Sequence, residues 1–418
     1  MIFEGFFQRS SYLNTFLLRQ IRNSVADLAQ LCYYAFMIPR IITPKVLELS
    51  RKFPVIAITG PRQSGKTTLI RNIFPDYLYL NLENPIERNF ALEDPQGFLA
   101  QSKKMVIDEI QRVPELFSYI QVMVDDDSEL KFVISGSQNF SLNERISQTL
   151  AGRVAKFVLL PFSLRELKDT NYWFDDYREY LIAGFYPRIY DYQLNPADWY
   201  PNYIETYVER DVTSLLNIEN KDRFVNFVTS CAANVGNVVN YTSLANSVGI
   251  SPNTVKSWLS ILRQSYLVFT LQPYSTNIKK RLRKSPKLYF YDMGILAYFL
   301  GIKNVENYQK HYLKGQIFEN LIISEAIKEN LNQYTHKRFF YLRDKAGHEV
   351  DLVYEDGGKL NLVEIKSGQT YQRGMSKNLL YYQSLLNVET NSFVLYDGQQ
   401  KQNRSDFTLL PWREWFLT

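Results

Sequence analysis

The residues whose order most clearly encodes chemistry lie between positions 60 and 68. Gly60-Pro61-Arg62-Gln63-Ser64-Gly65-Lys66-Thr67-Thr68 follows the apolar run Val55-Ile56-Ala57-Ile58-Thr59 and precedes a segment that reads as a helix starting near Lys66. Glycines at the first and sixth positions let the backbone curl so that successive N–H groups face one anion. A helix N-terminus adds its positive dipole end. Lys66 then supplies a point charge for β and γ phosphates, and the Thr67 hydroxyl a ligand for Mg²⁺. The spacing predicts an ATP site formed by residues 60–68, with Lys66 also acting in the transition state.

Met105-Val106-Ile107-Asp108-Glu109 supplies a matching half: an apolar strand ending in two carboxylates. Asp108 would hold the magnesium, directly or through water, and Glu109 would polarise the attacking water. A further strand candidate, Tyr77 to Leu82, lies between the two motifs and implies that their strands are not sheet neighbours, as in ATPases with an additional strand. At the end of Phe132-Val133-Ile134-Ser135-Gly136-Ser137, Ser137 is the small polar residue placed to reach the γ-phosphate or the water, with an ordinary turn serine as the competing reading.

These motifs need a parallel sheet to hold them. Short continuous apolar runs, including Val154 to Leu160, alternate with helix-length segments, the pattern of a parallel sheet covered on both faces. The chain has 418 residues, enough for two to four domains, and its 45% hydrophobic and 22% charged composition excludes a disordered polymer. Two distant cysteines exclude a disulfide framework, and three histidines without metal-ligand spacing argue against a catalytic zinc; a reducing cytoplasm is expected. Charged residues interrupt the apolar residues of 11–37, so neither a membrane span nor a cleaved signal is expected. A net charge of +5 is too small to argue for nucleic acid by itself, which turns attention to where the cations cluster. The organisation read from pattern is an N-terminal extension over 1–36, with Met37 as an alternative start, an ATPase core over 37–160, a helical region over 161–237, and a helix-turn-helix region over 238–312. A mixed α/β region follows over 313–418.

In the middle region, Tyr241 to Val248 reads as a short helix ended by Gly249, and Ser251-Pro252 starts a second helix as N-cap and first helical residue. Val255, Leu259 and Leu262 would face inward, leaving Asn253, Thr254, Lys256 and Ser257 at the exposed end, where recognition helices contact bases. Tyr266 to Phe269 and Lys287 to Phe290 read as the strands of a wing, with Gln272-Pro273 as a turn. Lys279, Lys280, Arg281, Arg283, Lys284 and Lys287 occur without an intervening acid and would suit phosphates. DNA is the partner this predicts.

The run GPRQSGKTT (60–68), together with Val-Ile-Asp-Glu-Ile-Gln (106–111), Ser-Gly-Ser (135–137), Leu-Ala-Gly-Arg-Val (150–154) and Tyr-Val-Glu-Arg-Asp-Val (207–212), resembles the prokaryotic AAA ATPases that carry a C-terminal domain of unknown function. The resemblance runs from about residue 37 to the end. It implies an α/β fold: an AAA-type P-loop sheet covered by helices, a winged-helix middle and a restriction-endonuclease-like C-terminal domain. It also makes Arg153 a candidate for the arginine that reaches the γ-phosphate, with Arg62, Arg145 and Arg210 as competitors.

Towards the C-terminus, His348 to Tyr354 and Leu360 to Lys366 read as a hairpin turning at Asp356-Gly357-Gly358. Pairing would bring Asp351 close to Glu364 and Lys366, and Glu319, on a helix beginning near Gly315, could complete the cluster. The spacing of Asp351 and Glu364-Ile365-Lys366 resembles the core of PD-(D/E)XK nucleases, although Val350 stands where the leading proline belongs. That resemblance implies a second Mg²⁺ or Mn²⁺, with the lysine as the other way of offsetting the acids. The reading is an ATPase coupled to DNA through a winged-helix and nuclease-like pair; its rival is a nucleotide-dependent switch or scaffold whose inactive C-terminal fold binds a protein partner.

Overall fold

Five short apolar runs pair side by side in the computed structural model, which describes residues 38–137, 148–207, 221–275 and 285–417. They are β1 (Val55–Thr59), β2 (Leu78–Asn81), β3 (Lys104–Asp108), β4 (Lys131–Gly136) and β5 (Val154–Val158). The sheet order is β2-β3-β4-β1-β5, and every pair is parallel. Successive residues of a strand face opposite sides, so Val55 and Ala57 join one core with Phe98, Phe117 and Ile120, while Ile56 and Ile58 join another with Val46, Leu69 and Ile70. Helices α1 (Thr43–Lys52) and α2 (Lys66–Ile73) contribute to the second core, and α3 (Leu116–Asp126) to the first. Covering both faces is what a parallel sheet of continuous apolar strands requires.

The two motif strands β1 and β3 are indeed not neighbours, but the strand between them is β4. The Tyr77–Leu82 run, which lies between the two motifs in sequence, forms β2 at the sheet edge beyond β3. Residues 161–207 fold as short helices, among them Tyr177–Ala183 and Pro196–Tyr203, packed through aromatic rings such as the stacked pair Trp199 and Tyr203. The N-terminal extension and the alternative start at Met37 lie outside the described residues, as do Arg145 and Arg210. No helix among the described residues is long and apolar enough to cross a membrane.

The middle region contains α4 (Lys221–Ala233), α5 (Tyr241–Val248) and α6 (Pro252–Gln264). Gly249 ends α5 in the left-handed region, and Ser251 caps α6 by accepting from Thr254 N at 3.0 Å. Val255, Leu259 and Leu262 are buried as expected, and Trp258 packs edge-on against Phe224 and Phe227 of α4.

Strands β6 (Val268–Pro273) and β7 (Lys287–Phe290) pair antiparallel. Gln272-Pro273 is not a turn. It extends β6 and pairs in parallel with Phe340 and Tyr341 of β8 (Phe339–Arg343), joining the middle region to the C-terminal sheet. That sheet continues through β9 (Glu349–Asp356), β10 (Lys359–Lys366), β11 (Thr390–Tyr396), β12 (Gln402–Asn403) and β13 (Thr408–Pro411), in the order β12-β13-β11-β10-β9-β8-β6-β7. Helix α7 (Lys314–Asn332) packs on β7 and β10. Arg40–Thr418 form one compact unit.

Candidate nucleotide site and C-terminal charge cluster

The chain leaves β1 at Thr59 and turns immediately. Gly60 has φ 153°, and a Cβ there would stand 2.1 Å from the Leu159 carbonyl oxygen, so the backbone can pass close to the end of β5 only without a side chain. Gly65, at φ 92°, caps α2 in a left-handed conformation, and Lys66 is the first helical residue. Gln63 and Glu109 also have positive φ, at 61° and 56°, unusual for side-chain-bearing residues and grouped where the two motifs meet.

Lys66 is buried, and its Nζ donates to Gly60 O at 2.9 Å and Pro61 O at 2.8 Å, spanning the loop from inside. Burial lowers its pKa, opposed by the nearby carboxylates of Glu109 and Asp108. Thr67 Oγ1 donates to Asp108 Oδ2 at 2.9 Å, and Tyr79 OH donates to the same oxygen at 2.5 Å. Asp108 Oδ1 accepts from Ser135 Oγ and, at 3.1 Å, from Glu109 N. A hydroxyl and a carboxylate held together at the carboxyl edge of a parallel sheet are hard oxygen donors suited to Mg²⁺.

Glu109 Oε2 accepts from Ser137 Oγ at 3.2 Å and from Gln111 Nε2. Ser137 therefore sits beside the acid assigned to the water. Tyr79 was missed by sequence reasoning, although its place on β2, in register with Val106 of β3, sets it next to Asp108. Burial and the Asp108 carboxylate both push its phenol upward, so it stays a donor. Arg62 lies in the loop, 3.6 Å from Glu83 Oε1, and Tyr203 OH donates to its carbonyl at 3.3 Å.

Arg153 is placed elsewhere. Its carbonyl accepts from Val55 N at the start of β1, the end opposite the phosphate loop, and its guanidinium grips Asp125 through hydrogen bonds of 2.5 and 2.7 Å. Within one chain it does not reach the site, which corrects the arginine assignment.

The four C-terminal residues do converge. The β9–β10 register pairs Lys359 with Asp356 through Val363 with Leu352, and one further step sets Asp351 opposite Glu364. Lys366 Nζ lies 2.6 Å from Glu364 Oε1 and 3.8 Å from Asp351 Oδ2, and Ile365 N donates to Asp351 Oδ2 at 2.8 Å. The residue that the sequence pattern misplaces is Lys287. It is not a solvated wing cation: it is 1% exposed, and its ammonium lies 2.9 Å from Glu319 Oε1, 2.5 Å from Glu349 Oε1 and 3.9 Å from Asp351 Oδ1. Tyr289 OH also donates to Glu319 Oε1, at 2.6 Å.

Two ammonium groups thus offset the acids that the nuclease reading gave to a second Mg²⁺ or Mn²⁺. Among the described residues no group of three or more His, Cys, Asp or Glu side chains is arranged to hold a metal ion. Burial pushes Glu364 up to about 8 and Glu319 to about 7, with the Asp351 charge adding to both and the lysines opposing. Glu364 Oε2 is buried with no hydrogen-bond partner among the described residues, as suits a carboxyl that is readily protonated.

On α6, Asn253, Lys256 and Ser257 are exposed and Thr254 is half-buried, its hydroxyl bonded to Ser251 Oγ at 2.8 Å. Lys256 Nζ stands 5.6 Å from the centre of the Tyr241 ring. Lys279, Lys280, Arg281, Arg283 and Lys284 lie outside the described residues. An open groove of about 710 Å³ runs beside the start of α5, lined among others by Asn240, Tyr241, Tyr341, Arg343 and Lys345.

Residues 52–168 match the model of an AAA domain, 174–306 a domain of unknown function (DUF8612) and 314–415 another (DUF4143). The Walker-type ATPase paby2304 of Pyrococcus abyssi superposes at a TM-score of 0.43 and 13% identity, over 63% of this chain and 96% of its own. The uncharacterized proteins Rv2008c of Mycobacterium tuberculosis and Mb2031c of Mycobacterium bovis are each 30% identical over 365 residues, covering 84% of this chain and 78% of theirs. With its phosphate loop in a matched AAA domain, and at that identity over most of both chains, the protein belongs to the family of Rv2008c as an AAA-type P-loop ATPase.

Proposed function

We propose that this chain hydrolyses Mg-ATP and couples that cycle to DNA through its middle region. The observation that carries the ATPase reading is the bond from Thr67 Oγ1 to Asp108 Oδ2, which joins the phosphate loop to the acid-bearing strand at one point. Thr67 and Asp108 would hold Mg²⁺, whose role when bound is to neutralise charge on the phosphates. Lys66 leaves the loop carbonyls to take up phosphate oxygens. Glu109, oriented by Ser137 and Gln111, accepts a proton from the attacking water, and Tyr79 and Ser135 keep Asp108 fixed while it does so.

DNA association rests on the middle region and on the groove it forms with the end of β8. The capped, exposed start of α6 with Asn253 and Lys256, the groove carrying Arg343 and Lys345, and the cationic run from Lys279 to Lys284 together support a winged-helix reader of nucleic acid. The deciding experiment is Mg²⁺-dependent phosphate release by the full chain with and without duplex DNA. Turnover that rises with DNA supports the reading. Turnover that ignores DNA removes the coupling but leaves the ATPase.

A second reading has its own observation. Lys287 fills the space among Glu319, Glu349 and Asp351 with a built-in cation, which favours a C-terminal domain that serves as a nucleotide-dependent switch or partner-binding element instead of a metal nuclease. Slow release of bound nucleotide, with no DNA cleavage in Mg²⁺ or Mn²⁺, is its signature.

A further inference from the structure

The phosphate loop is gripped from behind by a residue outside every motif. Arg40 is 8% exposed, and its guanidinium is committed three ways: one terminal nitrogen donates to Ser64 O at 2.8 Å, the other to Leu160 O at 2.6 Å, and Nε to Glu166 Oε1 at 2.9 Å. Ser64 is in the loop. In a trans peptide the C=O and the next N–H point opposite ways, so the bond to Ser64 O turns the Gly65 N–H away from Arg40, the orientation an anion cradle needs.

The grip continues into α7. Glu166 Oε2 accepts from Ser163 N at 2.9 Å, closing a capping box at Ser163. The next residue, Leu164, donates its N–H to Glu325 Oε2 at 2.6 Å. Lys328 Nζ then donates to Glu325 Oε1 at 2.7 Å and to Phe162 O at 3.0 Å, and Asn332 Nδ2 to Ser163 Oγ at 3.3 Å. Glu325, Lys328 and Asn332 recur at helical spacing on α7, all buried. Two cations and two anions, Arg40, Lys328, Glu166 and Glu325, are therefore removed from water along one path. Burying ion pairs is a poor way to gain stability compared with apolar packing, which leaves the holding of geometry as the role to test for this path.

We propose that Arg40 is a positioning residue of the phosphate loop and that the Glu325–Lys328 pair on α7 holds the far end of its support, so that nucleotide affinity is set in part from α7. The inference rests on the reading of residues 60–68 as the ATP site. On the same helix, Glu319 precedes Glu325 by less than two turns, so the support and the C-terminal charge cluster share one rigid element.

The test measures the Kd of the full chain for fluorescent mant-ATP with Mg²⁺, alongside the melting temperature without nucleotide. Arg40→Lys keeps the charge but cannot form the three-way fork, and should raise Kd about tenfold with the melting temperature little changed. The double variant E325Q/K328M removes both charges of the distal pair together and should raise Kd in the same direction. Adding it to Arg40→Lys should weaken binding by less than the product of the separate effects, because one path is already broken. Folded variants that bind with the wild-type Kd overturn the proposal, as does weakening that only tracks a fall in melting temperature. Lys66→Ala separates the two readings. Wild-type binding that Lys66→Ala abolishes, with unaffected Arg40 and α7 variants, overturns the positioning role alone. A wild-type chain that binds no mant-ATP overturns both.

Discussion

Ser137 Oγ donates to Glu109 Oε2 at 3.2 Å, linking the end of β4 to the acid that follows β3. The bond places the Glu109 carboxylate one strand away from the phosphate loop of β1. In the proposed mechanism Lys66 acts on phosphate in ground and transition states, and Glu109 acts on the water alone. Lys66→Ala should therefore abolish turnover and sharply weaken ATP binding. Glu109→Gln should keep binding while lowering turnover by ~10²–10⁴, the effect of losing one positioned catalytic group. Equilibrium binding and single-turnover hydrolysis on the same preparations distinguish the two, and full activity in Glu109→Gln would remove that residue from the mechanism.

The buried carboxyl of Glu364 makes stability depend on pH in an unusual direction. Its folded value of about 8 stands above the ordinary value of 4.5, so between those limits the folded chain keeps a proton that the unfolded chain has released. Its contribution is complete below pH 4.5 and is lost as pH rises through 8, with a slope of at most roughly 1.4 kcal/mol per pH unit. Glu319, at about 7, acts in the same sense over a narrower range. The melting temperature should fall from pH 5 to pH 8, and Glu364→Gln should flatten that fall. An equal slope in both proteins would assign it to other groups.

Lys287→Met tests the built-in cation. Removing it leaves Glu319, Glu349 and Asp351 facing one another around an apolar side chain, and breaking a buried ion cluster in this way costs about 3–5 kcal/mol. Urea unfolding should show the loss, and a second substitution, Glu319→Gln, should recover part of it. If Lys287→Met matches the wild type, the lysine carries no such charge balance.

Replacing Lys279, Lys280, Arg281, Arg283 and Lys284 with Gln should lower DNA affinity and flatten its salt dependence, by about 0.9 in the log–log slope for each phosphate that is no longer neutralised. ATP binding should be spared. An unchanged slope would mean that DNA, if bound, lies against another surface.

The parts of the site that were legible in the sequence are contiguous ones. The phosphate loop, the acid pair and the Ser251 cap each place their chemistry within a few residues, where spacing and backbone propensity are decisive. What stayed illegible depends on pairings across long stretches of chain. Lys287 stands beside basic residues and so reads as solvated, yet its burial is set by Glu319, Glu349 and Asp351, which arrive from α7 and β9. Gln272-Pro273 carries turn residues, but β8, nearly seventy residues later, gives it a partner: proline needs no donor there, and Tyr274 N donates to Tyr341 O at 2.7 Å just beyond. Strand order escaped for the same reason, since β2 and β4 differ in position without differing in local pattern.

Strand β6 has β7 on one side and β8 on the other, in opposite senses. A fragment ending near residue 312 would keep β6 but expose the edge that β8 had covered, an invitation to pair with another molecule. The complementary fragment would lack Lys287 and retain its three carboxylates. Neither piece owns the whole eight-stranded sheet, so the two should be insoluble or loosely folded there when made alone and should recover order when made together, by strand addition across the cut.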